Sequence, residues 1–441
     1  WREMRITFVL ALPIVVGQLS SMAMNIIDTV LAGHYNPTTL AAVAVGGAAW
    51  SVVILVCIGV LMAVSPSVAQ LNGAQRRGEI GALFRQAIWL ALMLGTLLFF
   101  IVRAIPFGFD AMHITPEVIP EARNFINAIS WGAPALALYF CFRNVSEGIA
   151  WTKPTLIFGL LGLVLLAPLG YVLMYTMNFG ASGLGAAVAI VLWLQSLGFF
   201  IYLTKEPHYA DLGLFDRFDA PQWPPIAELL RIGLPMGFAI FMEGGLFVAT
   251  AMLVGQLGVV PLAAHQTAIL IASLTFMIPL GVAMATTVRV GHAVGAKDYF
   301  AIRRAANAGY AIALISQTLS AGLLIFAGSW LAGLVTSDAA VISLASSLML
   351  YAAIFQYPDG MQAMSNGALR GLKDTQWPMV ITVMAYWAVG MPLGYYLGIM
   401  QGAGAPGLWL GLIFGLLVAS ILLTWRFWRL SHHYQITHLR N

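Results

Sequence analysis

Residues 43–70 read VAVGGAAWSVVILVCIGVLMAVSPSVAQ and contain no Asp, Glu, Lys or Arg. An α-helix rises about 1.5 Å per residue, so a run of roughly 20 apolar residues crosses the ~30 Å hydrocarbon core of a bilayer. Such runs are much longer than the roughly 10 residues of a membrane β-strand and lack its alternation. Similar runs recur along the chain and predict twelve transmembrane helices, near 6–30, 43–70, 82–103, 123–146, 155–177, 183–203, 228–254, 261–288, 304–327, 342–368, 379–399 and 405–428.

The composition of the whole chain agrees with this interpretation. Of its 441 residues, 60% are hydrophobic and only 9% are charged, and the mean hydropathy is +0.88. Soluble domains contain about 45–50% apolar and about 25% charged residues. A soluble enzyme, a disordered chain and a nucleic-acid-binding protein are therefore excluded, and an all-α integral membrane protein is predicted.

The distribution of positive charge predicts the orientation in the membrane. With the N-terminus placed on one side, that side receives all but two of the 21 Lys and Arg residues, the exceptions being Arg103 and Arg123. Cytoplasmic loops carry such an excess of Lys and Arg. We therefore expect both termini in the cytoplasm.

The chain is a duplication of a six-helix unit. A polar, proline-rich connector at 204–227 lies near its midpoint, and short motifs recur on either side of it. Leu12-Pro13 returns as Leu234-Pro235, and Gly73-Ala74 returns as Gly295-Ala296. An even number of spans per repeat keeps both repeats in one orientation. We expect two parallel six-helix bundles around a central cavity: an N-terminal lobe at 1–203, a cytoplasmic linker at 204–227 and a C-terminal lobe at 228–441.

Duplicated membrane bundles are typical of transporters, which bind substrate between two halves and alternate access to it. A membrane enzyme acting on lipid-linked sugars is an alternative, but it needs a polar loop with clustered catalytic groups. A channel is another, although channels more usually assemble from several copies with fewer spans. The chain has no GxxxxGK[ST] motif, so we expect neither ATP hydrolysis nor a cofactor.

One acid lies inside the first predicted span. Asp28 follows Ser21 and Asn25 at helical spacing, so the three form one polar stripe. A carboxylate at the centre of a bilayer costs about 2.5–3.5 kcal/mol and usually serves a function. Pro13 interrupts the backbone hydrogen bonds of the same helix and is a predicted hinge. The alternative role for Asp28 is structural, as a side chain that holds neighbouring helices together by hydrogen bonds.

Two further acids lie inside predicted spans of the second half, Glu243 between glycines and Asp359 directly after Pro358. Gln356 shares a helical face with Asp359, and Pro358 and Pro235 are predicted hinges. Carboxylate, amide and carbonyl oxygens suit protons or a hard monovalent cation.

Neither half repeats the acids of the other. The repeat aligns Glu243 with Ser21 and Asp28 with Thr250. A scaffold alone gives no reason for this asymmetry, so we interpret the acids as functional.

At these residues the chain resembles a known family. Leu12-Pro13, the segment IIDTVLAGH at 26–34, LAAV at 40–43 and RGLKDTQWP at 370–378 resemble multidrug and toxic compound extrusion (MATE) transporters of the NorM-like bacterial branch. The resemblance covers essentially the whole chain. It implies an inner-membrane antiporter, not an enzyme, that exports organic cations such as fluoroquinolones and dyes while H⁺ or Na⁺ enters. It also implies a protein that functions as a monomer.

The resemblance also implies roles for individual residues. Glu243 and Asp359 would form a cation site in the second half, serving as the metal ligands if the ion is Na⁺. Asp28 would be the titrating site of the first half. Gln266 and Asp338 match positions linked to drug contact in this branch.

One departure from the family bears on the coupling ion. Sodium-coupled members place a tyrosine one turn before the acid of the tenth span, and this chain has Phe355, which offers no oxygen. Proton coupling is therefore favoured. The alternative function is that of a lipid-linked oligosaccharide flippase of the same superfamily. Such flippases carry cationic residues in the cavity, whereas the charges that look deep within the spans here are all acids.

The predicted orientation can be tested by cysteine labelling. Cysteines introduced at Gly108, Gly180 and Asp338 should react with a membrane-impermeant maleimide in intact cells, because these positions lie on the predicted outer side, which is poor in Lys and Arg. A cysteine at Ala210, in the linker, should react only after the cells are opened. Labelling of Ala210→Cys in intact cells would overturn the orientation.

Overall fold

A computed structural model describes residues 1–109 and 115–439, with side chains up to residue 434. The described residues contain no β-strand. Within these residues, twelve helices are long and apolar enough to cross a membrane. They are α1 Arg2–Tyr35, α2 Pro37–Gly73, α3 Arg77–Gly108, α4 Ile119–Gly148, α5 Lys153–Thr176, α6 Gly180–Lys205, α7 Trp223–Gly255, α8 Val259–Gly295, α9 Tyr299–Val335, α10 Ala339–Gly371, α11 Gln376–Met400 and α12 Gly404–Tyr434.

The predicted fold class and the predicted number of spans are confirmed. The helices extend beyond the predicted runs because polar caps, which hydropathy does not detect, begin several of them. Asn36 accepts a hydrogen bond from the Thr39 amide at 2.6 Å, and Pro37 takes the first helical position of α2. Asp338 caps α10 by accepting from the amides of Ala340 and Val341. Each cap satisfies amides that the first turn leaves unbonded.

The chain divides into two compact units. One comprises Val16–Gly237, and the other comprises Trp1–Val15 together with the chain from Phe238 onward. Both divisions fall within continuous helices, α1 and α7, shortly after Pro13 and Pro235. The lobe boundaries drawn from the repeat stay a prediction, and residues 440–441 of the predicted C-terminal lobe lie outside the described residues.

The duplication is visible in the backbone of each unit taken separately. Gln75 and Lys297, at matching positions after α2 and α8, have φ of 60° and 57°. Ala150 and Lys373, after α4 and α10, have φ of 64° and 59°. Residues other than glycine rarely adopt this left-handed backbone conformation. Its recurrence at matching positions shows that both repeats end these helices in the same way.

Segments of π-helix show where the repeats agree and where they differ. Val172–Thr176 in α5 and Tyr396–Met400 in α11 are π-helical at matching positions. A further π segment, Met384–Gly390 in α11, has no counterpart in the described part of α5. Such insertions frequently accompany functional sites. This one marks α11 as the helix in which the second repeat departs from the first.

Each unit has its own apolar core, and small residues bring its helices together. Phe84 and Phe125 are buried in the first core, and Tyr386 and Trp409 in the second. A Cβ added at Gly411 of α12 would collide with the backbone of α11. Close approach of this kind drives helix association in lipid, where the hydrophobic effect between helices is absent.

The linker between the repeats is docked along α3. Arg77 pairs with Asp211 at 2.6 Å, and Arg85 pairs with Asp219 at 2.5 Å. The indole of Trp89 donates to the Asp219 carbonyl oxygen at 2.9 Å. Side chains of one helix therefore fix the path of this polar segment.

These contacts make the docking of the linker sensitive to acid. The hydrogen bonds from Arg85 and Arg77 hold the pKa values of Asp219 and Asp211 below their ordinary range. A carboxyl whose pKa is lowered by folding stabilises the folded state above its unfolded pKa, and loses that effect as the pH falls through its folded pKa. The ion pairs that hold the linker against α3 should accordingly weaken as the pH falls through the lowered pKa values of these carboxyls.

A matched pair of glycine variants tests the docking. A Cβ at Gly81 would collide with the carbonyl oxygen of Gly213, whereas a Cβ at Gly78 meets nothing within 4 Å. Gly81→Ala should loosen the linker, at a cost of roughly 1–3 kcal/mol for overpacking, and speed tryptic cleavage at the exposed Arg217. Gly78→Ala is the control. Equal cleavage rates for both variants would contradict this packing.

Candidate cation-coupling site

Glu243 of α7 faces the π segment of α11. The Tyr386 hydroxyl lies 3.5 Å from Glu243 Oε1 and donates a long hydrogen bond to it. The next residue, Trp387, donates its indole N–H to the Met242 carbonyl oxygen at 3.1 Å. The π segment thus directs two consecutive side chains at one turn of α7. Sequence reasoning missed both residues.

Asp359 completes an acidic pair. Its side chain, on α10, is 4% exposed, and its carboxylate interacts electrostatically with that of Glu243. Glu243 also interacts with the guanidinium of Arg370, in the last turn of α10. The structure therefore brings together the two acids predicted from the sequence. The structure also brings the positive charge of Arg370 to this pair, which the sequence analysis did not predict.

Gln356 links three helices beside this pair. It is fully buried, and its Nε2 donates to Thr275 Oγ1 of α8 at 2.8 Å. Gln317 of α9 donates to the Gln356 carbonyl oxygen at 2.7 Å. Pro358 lies between Gln356 and Asp359 inside α10, so the helix here lacks one backbone donor. The predicted supporting role of Gln356 gains a physical basis, although its part in coupling stays a prediction.

Four buried side-chain polar atoms in the described residues lack a hydrogen-bond partner, and all four are oxygens. They are Asp28 Oδ1, Gln317 Oε1, Gln356 Oε1 and Thr382 Oγ1. Buried polar groups are normally satisfied, so each exception needs an explanation. Oxygens that lack a donor suit a proton or a monovalent cation.

Asp28 lies in the other unit, on α1, with its Oδ1 buried and unpartnered. Ser21 donates to the Gly17 carbonyl oxygen of its own helix at 3.1 Å, and Asn25 is exposed. Neither side chain hydrogen-bonds Asp28 in the described structure. Their supporting role stays a prediction, as do the hinge roles of Pro13 and Pro235.

A second group of buried charges lies near the end of α4. Arg143 and Glu147, one turn apart on α4, pair at 2.6 Å with side chains only 2% and 1% exposed. Gln18 and Thr155 complete the group by hydrogen bonds to Arg143 and Glu147 respectively. Because this pair lies at the end of α4, the expectation that the charges deep within the spans are all acids stays a prediction.

The two residues linked to drug contact are exposed. Gln266 lies on α8 and Asp338 at the start of α10. Asp338 has a structural role there as the helix cap. Contact with drugs stays a prediction for both. In residues 1–109 and 115–434, whose side chains are described, no three His, Cys, Asp or Glu side chains converge as a metal site.

Comparison with known proteins identifies the family of this chain. The model of the MatE family matches residues 13–172 and 235–396. The chain belongs to the MatE family. It is 51% identical to the probable multidrug resistance protein NorM of Xanthomonas campestris pv. campestris, over 96% of this chain and 94% of that protein. It is 38% identical to the multidrug resistance protein PmpM of Pseudomonas aeruginosa, over 99% and 94%.

Solved MATE structures share the fold. The crystal structure of the eukaryotic MATE transporter AtDTX14 superposes with a TM-score of 0.89 at 18% identity, covering 99% of both chains. An outward-facing MATE transporter of the MOP superfamily gives 0.90 at 20% identity, covering 98% of this chain and 97% of that one. The chain is thus a multi-pass membrane protein of a transporter family, with the twelve-helix MATE fold.

The importance of the acidic pair can be tested directly. Glu243→Gln and Asp359→Asn should each abolish cation-driven efflux from cells that overproduce the protein, because each removes a charge that must bind and release the coupling ion. Thermal melting in detergent should stay close to wild type. Glu117→Gln, which neutralises an exposed acid, is the matched control. Continued efflux by both site variants would make the acids structural.

Proposed function

We propose that this MATE protein is a proton-coupled antiporter that exports cationic amphipathic drugs across the bacterial inner membrane by alternating access. Its relatives are named multidrug resistance proteins, which supports small organic compounds as cargo. The observation that carries the proposal is the acidic pair of Glu243 and Asp359, set among buried oxygens without donors. An anionic site of this kind favours a cationic cargo or ion.

Proton coupling is favoured over sodium by the surroundings of Phe355. This side chain is 3% exposed, and its ring packs against those of Phe247 at 6.2 Å and Trp409 at 5.7 Å. A sodium ion needs several oxygens at fixed distances, and this position supplies an aromatic ring. A proton needs one carboxylate, and Asp28 has a buried oxygen free to receive it.

The proposed cycle exchanges charge for charge. When the acids are ionised, the site attracts a cationic drug; when protons bind, the attraction is lost and the drug leaves. Bending at Pro13, Pro235 and Pro358 would then expose the site to the other side of the membrane. We further propose that the protein works as a monomer, with both termini in the cytoplasm. In this scheme the cargo crosses the membrane chemically unchanged.

The flippase alternative is less well supported. A lipid-linked oligosaccharide carries pyrophosphate and needs cations free to receive it. Two arginines of the described spans already interact with acids: the buried Arg143 with Glu147, and the half-buried Arg370 with Glu243. Neither therefore offers an uncompensated positive charge to an anionic cargo.

Purified protein in liposomes separates the two coupling ions. A pH gradient imposed without Na⁺ should drive transport of a fluorescent cationic dye, while a Na⁺ gradient at equal pH on both sides should not. Asp28→Asn should lose the proton-driven transport, because it cannot exchange a proton at Oδ1, and it should still bind dye. Thr250→Asn, at the matching position of the other repeat, is the control for the substitution itself.

Transport that requires Na⁺ and ignores the pH gradient would reject proton coupling. Glu243 and Asp359 would then be interpreted as the ligands of a sodium site. Transport of a lipid-linked oligosaccharide without movement of any cationic dye would favour the flippase.

A further inference from the structure

A cavity of about 510 Å³ opens where α11 begins and α12 ends. Its walls include Trp377 of α11 and Trp425, Arg426 and Arg429 of α12, with histidines at 432 and 433. The apolar spans of both helices terminate at this place, which sets the cavity at the boundary between hydrocarbon and water. Tryptophan is enriched at that boundary, and Trp377 and Trp425 are each 57% exposed.

Two guanidinium groups give the cavity a positive charge. Arg426 lies 5.3 Å from the Trp377 ring, and its Nε donates to Asp374 at 2.6 Å. Arg429 lies 5.2 Å from the Trp425 ring and has no carboxylate partner among the described residues. Planar guanidinium groups held over aromatic rings bind phosphate oxygens by paired N–H donors. With one acid for two arginines, the cavity is suited to an anion.

Apolar surface continues from the cavity toward the middle of the membrane. On α12, Leu417, Ile421 and Trp425 follow at helical spacing and are 40%, 58% and 57% exposed. On α11, Val380 and Met384 extend the line from Trp377 and are 42% and 57% exposed. Helices α11 and α12 pack against each other. An anion bound in the cavity would have an apolar surface beneath it.

We infer that this cavity binds the phosphate headgroup of an anionic phospholipid, whose acyl chains lie along the exposed faces of α11 and α12. Basic pockets between transmembrane helices bind such headgroups. A soluble phosphate would use the arginines alone, whereas a lipid also uses the apolar surface below them. The site is separate from Glu243 and Asp359, so the inference does not depend on the coupling ion.

Native mass spectrometry of the whole protein tests this inference. Protein released from nanodiscs of phosphatidylcholine with phosphatidylglycerol or cardiolipin should retain one anionic lipid. Arg429→Gln should weaken its retention about fivefold, the effect of roughly 1 kcal/mol per arginine near an anionic surface. Arg231→Gln removes an exposed arginine outside the cavity with the same change in net charge, and it should leave retention unchanged.

Soluble competitors distinguish the source of the phosphate. Inorganic phosphate or glycerol phosphate at millimolar concentration should not displace the lipid if the acyl chains contribute. Three results would each overturn the inference: displacement by either competitor, equal retention of phosphatidylcholine, or an equal loss of retention in both arginine variants.

Discussion

A charge that is buried away from water needs a partner of opposite charge, a hydrogen-bond partner or a proton. The structure of this protein depends on how each of its charges within the spans meets this need. Burying an ionised group without a partner costs several kcal/mol of desolvation free energy. Arg143 and Glu147 meet it by pairing one turn apart on a single helix. Glu243 and Asp359 share one site, where the charge of Arg370 offsets only part of theirs. Asp28 keeps a buried oxygen without any partner, and an exchangeable proton is the simplest partner that removes the cost.

The two repeats share a backbone and differ in chemistry, and the difference has a physical form. At two matching positions, one repeat carries an acid and the other carries a hydroxyl that bonds to its own helix: Ser21 donates to Gly17, and Thr250 donates to Leu246 at 2.9 Å. A hydroxyl can satisfy itself in this way within a membrane helix. An ionised carboxylate has no proton to donate to a backbone carbonyl. It must therefore accept a hydrogen bond from another helix, bind a proton or bind a cation. The two repeats thus share a scaffold and carry their acids at different places in it.

The helices and the repeat could be predicted from the sequence because hydropathy and spacing are local properties. The acids of the site could also be predicted, since an acid in an apolar run is conspicuous by itself. Tyr386 could not, because many aromatic residues occur in the spans and the π segment that turns it toward Glu243 leaves no periodic signal. The polar side chain of Gln317 within apolar α9 was as visible as the acids, and the same reasoning would have found it. The docking of the linker depends on pairs such as Arg85 and Asp219, which are far apart in sequence, and no local pattern encodes them.

Two of the three acids within the spans each share a helix with a proline near a division between the compact units. Asp28 follows Pro13 on α1, and Glu243 follows Pro235 on α7. Proline removes one backbone hydrogen bond, so bending costs less there than elsewhere along either helix. A change of charge at the acid alters what that part of the helix can favourably pack against, and the helix continues through the proline into the other unit. The covalent continuity of α1 and α7 therefore connects the segment that carries each of these two acids to a segment of the other unit.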